Sequence, residues 1–148
     1  MILPAQLLRK IKPVDPFVER TLFNGLSFGL SHAGYDVRIA QTVSLATGAF
    51  SLASTIERFV MPNDLVGFVH DKSTWARRGL SLFNTVIEPG WTGWLTLELV
   101  NHGAPIIISE GSPIAQIVFM RTLESVERAY SGKYQDQPNC PVSAIEER

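Results

Sequence analysis

Apolar residues recur along this chain in two rhythms. Near the start, Leu3, Leu7, Leu8 and Ile11 fall at helical spacing and Pro4 suits a first turn, which predicts a short helix over residues 3–11. Pro13 and Pro16 then punctuate the chain. Most of the remaining chain predicts short strands bounded by Gly, Pro and Asn: 35–39, 49–59, 65–70, 94–101, 105–108 and 114–120. A helical turn is expected near 73–78. Phe50, Phe59, Phe68, Phe83 and Phe119 are expected to fill the core, and His32 and His102 to face solvent. From Glu127 onward the chain is polar, with Gly132 and Pro138, and predicts a loop or a mobile arm. No repeat or linker divides the chain, so one all-β domain over 1–148 is expected.

Three local patterns carry candidate chemistry. Alternation across Trp94–Val100 sets Leu95, Leu97 and Leu99 on one face and Trp94, Thr96, Glu98 and Val100 on the other. Glu98 is thus a mid-strand carboxylate among bulky neighbours. Partial burial would raise its pKa and suit it to general-base work, whereas a solvent-facing glutamate would do neither. The run His70–Gly79 joins the hydroxyls of Ser73 and Thr74 to Lys72, Arg77 and Arg78. Such a turn suits a polyphosphate, and its plain alternative is a solvated charged loop. Ser73, His70 and Asp71 are too close in sequence to form a catalytic triad readily. The third pattern is the turn Glu88-Pro89-Gly90-Trp91, which predicts a hairpin leading into the Glu98 strand. Its carboxylate and aromatic could hold a sugar, or serve the turn and the core alone.

Composition narrows the possibilities. The 148 residues are 45% hydrophobic and 18% charged, which reads as globular, and the formal charge of −1 argues against a nucleic-acid polymer or an anionic membrane as partner. Cys140 is the single cysteine, so a reducing, cytoplasmic setting fits. There is no Cys-x-x-Cys and no His-x-Glu followed by Pro-Cys-x-x-Cys, so no zinc site is expected. No run of 18 apolar residues predicts a membrane span.

Four segments taken in order are more specific than any one of them. They are Ala33–Arg38, Lys72–Arg77, Ile87–Gly93 running into Leu97-Glu98, and Gly111–Gln116. Together with the tail Tyr130–Gln137 and the opening Met1-Ile2-Leu3, they resemble the dCTP deaminase branch of the trimeric dUTPase superfamily, over nearly the whole chain. The resemblance implies a distorted jelly-roll β-barrel of the dUTPase-like, β-clip type with a short N-terminal helix. It also implies a homotrimer with active sites between subunits.

Residue by residue, the resemblance implies that Ser73 and Arg77 bind phosphates and orient water, and that Glu98 is the general acid and base. It places Lys72 and Thr74 in the phosphate turn, and Asn84 near the base. Glu88 and Trp91 belong to the sugar-side turn, and Gln116 to the phosphate side. Tyr130, Lys133 and Gln137 match an arm, residues 127–148, that closes over the nucleotide. Asp36 and Arg38 are expected at the subunit interface. Arg77 would hold Glu98 ionised. Magnesium would arrive with the triphosphate, and no protein metal site is implied.

The sequence departs from the family at several points. Lys72 stands where many deaminases have arginine, Glu88 where aspartate is usual, and Asn84 where a small residue is common. The glycine-rich arm of true dUTPases is missing. Three readings are open: a deaminase making dUTP and ammonia, a dUTP diphosphatase or bifunctional enzyme releasing dUMP and pyrophosphate, and a non-catalytic nucleotide- or protein-binding trimer. The choice among dCTP, dCMP and a modified cytosine nucleotide stays open as well.

Overall fold

The computed structural model describes residues 1–147. Its elements run α1 (Ala5–Ile11), β1 (Val14–Asp15), β2 (Thr21–Phe23), β3 (Leu26–Leu30), β4 (Tyr35–Arg38), β5 (Val43–Leu45) and β6 (Phe50–Val60). They continue β7 (Leu65–Asp71), α2 (Ser73–Ala76), β8 (Leu80–Leu82), β9 (Val86–Ile87), β10 (Thr92–Asn101), β11 (Ile106–Ile108) and β12 (Pro113–Arg121). The fold is mostly β with two short helices. All six strands that the sequence predicts are present, with ends shifted by one or two residues. The strands β1, β2, β3, β5, β8 and β9 are additions. At two to five residues each, they are too short to show a period.

Two larger sheets build the body. One has the order β1-β6-β10-β8 and the other β2-β3-β4-β12-β7-β9, while β11 and β5 form a separate pair. Their inward sides meet in one hydrophobic core that includes Tyr35, Val37, Phe59, Leu97, Leu99, Ile117 and Phe119. Because strand side chains alternate, the same strands must also present an outward row. On β10 that row carries Thr96 and Glu98.

Three expectations change here. The Glu88–Trp91 turn does not close a hairpin: β9 pairs with β7, and β10 pairs with β6 and β8, so the turn carries the chain from one sheet to the other. A two-residue β9 has too little ladder to hold β10 beside it. Phe59 and Phe119 are buried in the core as expected, but Phe50 is 55% and Phe83 56% exposed. Phe50 pairs with Val100 on the outward side of β6, where register and not hydrophobicity decides its direction. Finally, residues 130–142 are not a free arm. They lie along the start of β10, held by backbone bonds including Tyr130 N–H to Pro89 O and Trp94 N–H to Gln137 O.

The docked tail needs glycine. Gly93 has φ +138°, and a Cβ there would meet the Gln137 nitrogen at 2.7 Å. Only a residue without a side chain lets the tail approach this closely.

Candidate active site

The outward face of β6 and β10, roofed by the tail, encloses a cavity of about 520 Å³. Its wall is mainly apolar, from Phe50, Leu52, Val86, Leu95 and Val142. Glu98 pairs across the ladder with Leu52, so its carboxylate rises among aliphatic groups. A register shift between Trp94 and Thr96 lets Leu95 line the cavity beside Thr96 and Glu98, against the simple alternation. Burial pushes the Glu98 carboxyl above its ordinary value of 4.5, with a partial opposing effect from a backbone hydrogen bond. No cation is among the residues lining the cavity. Glu88, exposed at the turn, supplies a second carboxylate.

The tail contributes the roof through specific bonds. The Trp91 indole donates to the Tyr134 carbonyl. Gln135 accepts from the Thr92 amide at 2.9 Å and donates to Gly90 O at 3.0 Å. Thr96 Oγ1 accepts from the Val142 amide at 3.0 Å and lies 3.4 Å from Gln137 Oε1. Trp91 itself is buried, 6.0 Å from Phe59 between ring centres, so it serves the core and the cavity wall together.

Of the residues singled out from sequence, Glu98, Glu88, Trp91, Tyr130 and Gln137 therefore come together around one cavity. The others do not. Ser73, Thr74 and Arg77 lie on or beside α2 and do not line it. Lys72 is buried, with Nζ 2.6 Å from Asp36 Oδ2. Gln116 sits in a separate shallow depression, 3.4 Å from Ser31 Oγ. Asn84 is exposed in the β8–β9 loop and its neighbour Thr85 lines the cavity instead. Lys133 points away, 3.5 Å from Glu147.

Asp36 and Arg38 are also committed within the chain. Arg38 Nε donates to Glu57 Oε1 at 2.8 Å and its backbone amide to Oε2 at 2.9 Å, which satisfies a fully buried carboxylate. Thr96 shares the Glu98 face as the alternation predicts, whereas Tyr134 and Gln135 are not singled out by the sequence. Tyr134 follows Tyr130 by four residues and was within reach of a closer reading of the tail, whereas the glutamine-to-backbone bonds leave no signature in composition.

Among the described residues, no three His, Cys, Asp or Glu side chains gather as a metal site, and no helix is long and apolar enough to cross a membrane.

Comparison with known proteins identifies the family. Residues 30–122 match the family described as dCTP deaminase-like. A dCTP deaminase of Campylobacter fetus subsp. fetus is 33% identical across 89% of each chain. A probable deoxyuridine 5'-triphosphate nucleotidohydrolase of Sulfolobus islandicus rod-shaped virus 1 is 40% identical over 62% of this chain and 58% of its own. Among solved structures, the 2'-deoxycytidine 5'-triphosphate deaminase from Agrobacterium tumefaciens aligns with a TM-score of 0.67 at 19% identity, covering 82% of this chain and 47% of that one, and supports the fold. With the family matched over most of its length and the carboxylate cavity in place, the chain belongs to the dCTP deaminase-like family.

Proposed function

We propose that this protein hydrolyses the C4 amino group of a deoxycytidine nucleotide, dCTP above all, to give dUTP and ammonia without zinc. One observation carries the reading: Glu98 is a half-buried carboxylate in a mainly apolar cavity with no lining cation, otherwise suited to a flat, neutral base. In this reading Glu98 takes a proton from water as the oxygen bonds to C4. It returns that proton to ring N3. The second water proton passes to the amino group, the C4–N bond breaks, ammonia leaves and C4=O forms. Glu88 and Trp91 face the sugar, and Tyr130 and Gln137 hold the roof.

The triphosphate needs cations that this cavity lacks. We assign Ser73 and Arg77 to it, supplied from a second copy of the chain in a homotrimer of distorted jelly-roll barrels. An apolar row supports that assembly. Ile2 and Met120 are 53% and 36% exposed, and Phe68 pairs with both Val118 and the 50% exposed Val86 on one sheet face. Val86 also borders the cavity, so the uncovered face adjoins the site. Magnesium belongs to this scheme as part of the substrate, carried on the triphosphate oxygens. A cytoplasmic setting fits the single exposed cysteine.

Glu88 favours a second reading, in which a carboxylate at the turn directs water to phosphorus and the enzyme releases dUMP and pyrophosphate. The test is an end-point assay on dCTP, dCMP and dUTP with magnesium. Ammonia with accumulating dUTP supports the deaminase. Pyrophosphate and dUMP establish the second activity. Neither product from any of the three refutes both.

A further inference from the structure

The feature of the chain that the site does not absorb is the buried ion pair between Asp36 and Lys72. The ammonium lies 2.6 Å from the carboxylate and both side chains are only 10% exposed. Asp36 stands on β4 opposite Gln116 of β12, which stands opposite His70 of β7, so the three share one row of the sheet. Lys72 follows two residues after His70 and reaches back along this row to Asp36. Among the described residues, its side chain donates to that carboxylate alone.

The backbone of Lys72 does separate work. Lys72 precedes the first residue of α2 in an extended conformation, φ −77° and ψ 123°. Its carbonyl accepts from both the Trp75 and Ala76 amides at 3.0 Å, so it closes the turn that carries Ser73 and Arg77. That turn is pinned twice more. The Trp75 indole donates to Pro113 O at 2.7 Å, and Asp71 Oδ1 accepts from the Leu82 amide at 2.7 Å. The Lys72 contact ties the start of the turn directly to Asp36 of β4.

We infer that Lys72 is a positioning residue rather than a phosphate ligand: Asp36 anchors its side chain so that its carbonyl sets the turn presenting Ser73 and Arg77. The inference deepens the proposed function and rests on it for the role of that turn. The ammonium and the carboxylate form a pair with no net charge, so together they offer little attraction to a triphosphate. The turn itself stays cationic through the exposed Arg77 and Arg78.

The test compares Asp36→Asn, Lys72→Met and the double variant in the full chain. Two readouts are used: steady-state kinetics on dCTP, and hydrogen exchange at the Trp75 and Ala76 amides. Positioning predicts that both single variants lose a similar factor in kcat/KM, roughly ten- to a hundredfold for a turn displaced by about 1 Å. It predicts that the double variant is no worse than either single, because the two side chains act as one unit. It also predicts faster exchange of both amides in all three. A phosphate ligand predicts otherwise: Lys72→Met raises KM alone, Asp36→Asn leaves it unchanged, and exchange stays as in the wild type. That result overturns the inference. Should a single variant fail to fold, the double, which buries no unpaired charge, decides by itself. Wild-type kinetics and wild-type exchange in the double also overturn it. If the wild-type chain releases no ammonia from any deoxycytidine nucleotide, the proposed function fails, while the exchange measurements still decide whether the pair holds the turn.

Discussion

Replacing Glu98 with glutamine tests the chemistry most directly. The amide is nearly the same size, so Leu52, Leu95 and Thr96 keep their packing. What disappears is the proton acceptor. General acid–base catalysis contributes about 10²–10⁴-fold, so kcat should fall by that factor, equivalent to about 3–5 kcal/mol of barrier. Burial sets the pH dependence. Because desolvation raises the Glu98 pKa above 4.5, the active, ionised form is lost as pH falls through a value higher than that of a free glutamate. The acid limb of kcat/KM should sit correspondingly high and vanish in the variant. Stability moves the opposite way. A raised carboxyl pKa means that the fold disfavours the ionised form, so the wild type loses stability relative to Glu98→Gln as pH rises through the window between the unfolded and folded values. The variant should melt above the wild type at neutral pH, and the gap should close in acid. Ammonia release and thermal melts at several pH values measure both effects. Wild-type ammonia release, or a gap that widens in acid, refutes the reasoning.

Arg77→Ala should lose ammonia release while leaving the melt nearly unchanged, because the side chain is exposed and such substitutions stay within about 0.5 kcal/mol; a lowered melt with full activity would place the residue in structure instead. Trp91→Phe removes the donor to the Tyr134 carbonyl and should cost about 1–3 kcal/mol in a urea titration, with faster exchange across the tail. Unaltered exchange there would mean that the tail is held elsewhere. An ultraviolet titration should show one of the three tyrosines ionising at about 12. That one is Tyr35, whose burial raises its pKa and whose hydroxyl accepts from Val18 N–H and donates to Pro16 O, both at 3.1 Å. The Tyr35→Phe spectrum should lack that transition.

The sequence reading reached Glu98 because β10 is long. Ten residues with Leu97 and Leu99 turned inward leave the parity of Glu98 in no doubt. The helical turn expected near 73–78 is present as α2, because its signals lie together in the chain. Phe50 and Phe83 escaped it, since an aromatic residue looks like core until its strand partner is known. The two lie 6.2 Å apart between ring centres, outside the core. The resemblance implies a tail that closes over the site, but the composition of the tail alone does not show its docking. Polar composition is common to a free arm and to one held by backbone and glutamine bonds. The pairing of Lys72 with Asp36 joins residues 36 positions apart, and only the β4–β12–β7 register brings them within reach.

The charges around the cavity determine how a nucleotide enters it. Glu98 lies inside and Glu88 at the turn, and no lining cation offsets either. A triphosphate pushed into that space would meet like charge in surroundings where solvent screens poorly. A neutral pyrimidine meets no such penalty and covers apolar wall from Leu52 and Leu95 that otherwise stays wet. In the proposed reaction the base would therefore enter the cavity and the phosphates would stay at its mouth. In the positioning role we infer for it, Lys72 keeps its ammonium on Asp36 and would not serve them there. Exposed Arg77 remains available, on a turn that lies away from the cavity of its own chain. In the proposed homotrimer, carboxylate and guanidinium would divide the substrate between them, and the apolar row beside Val86 would give two copies a surface on which to meet.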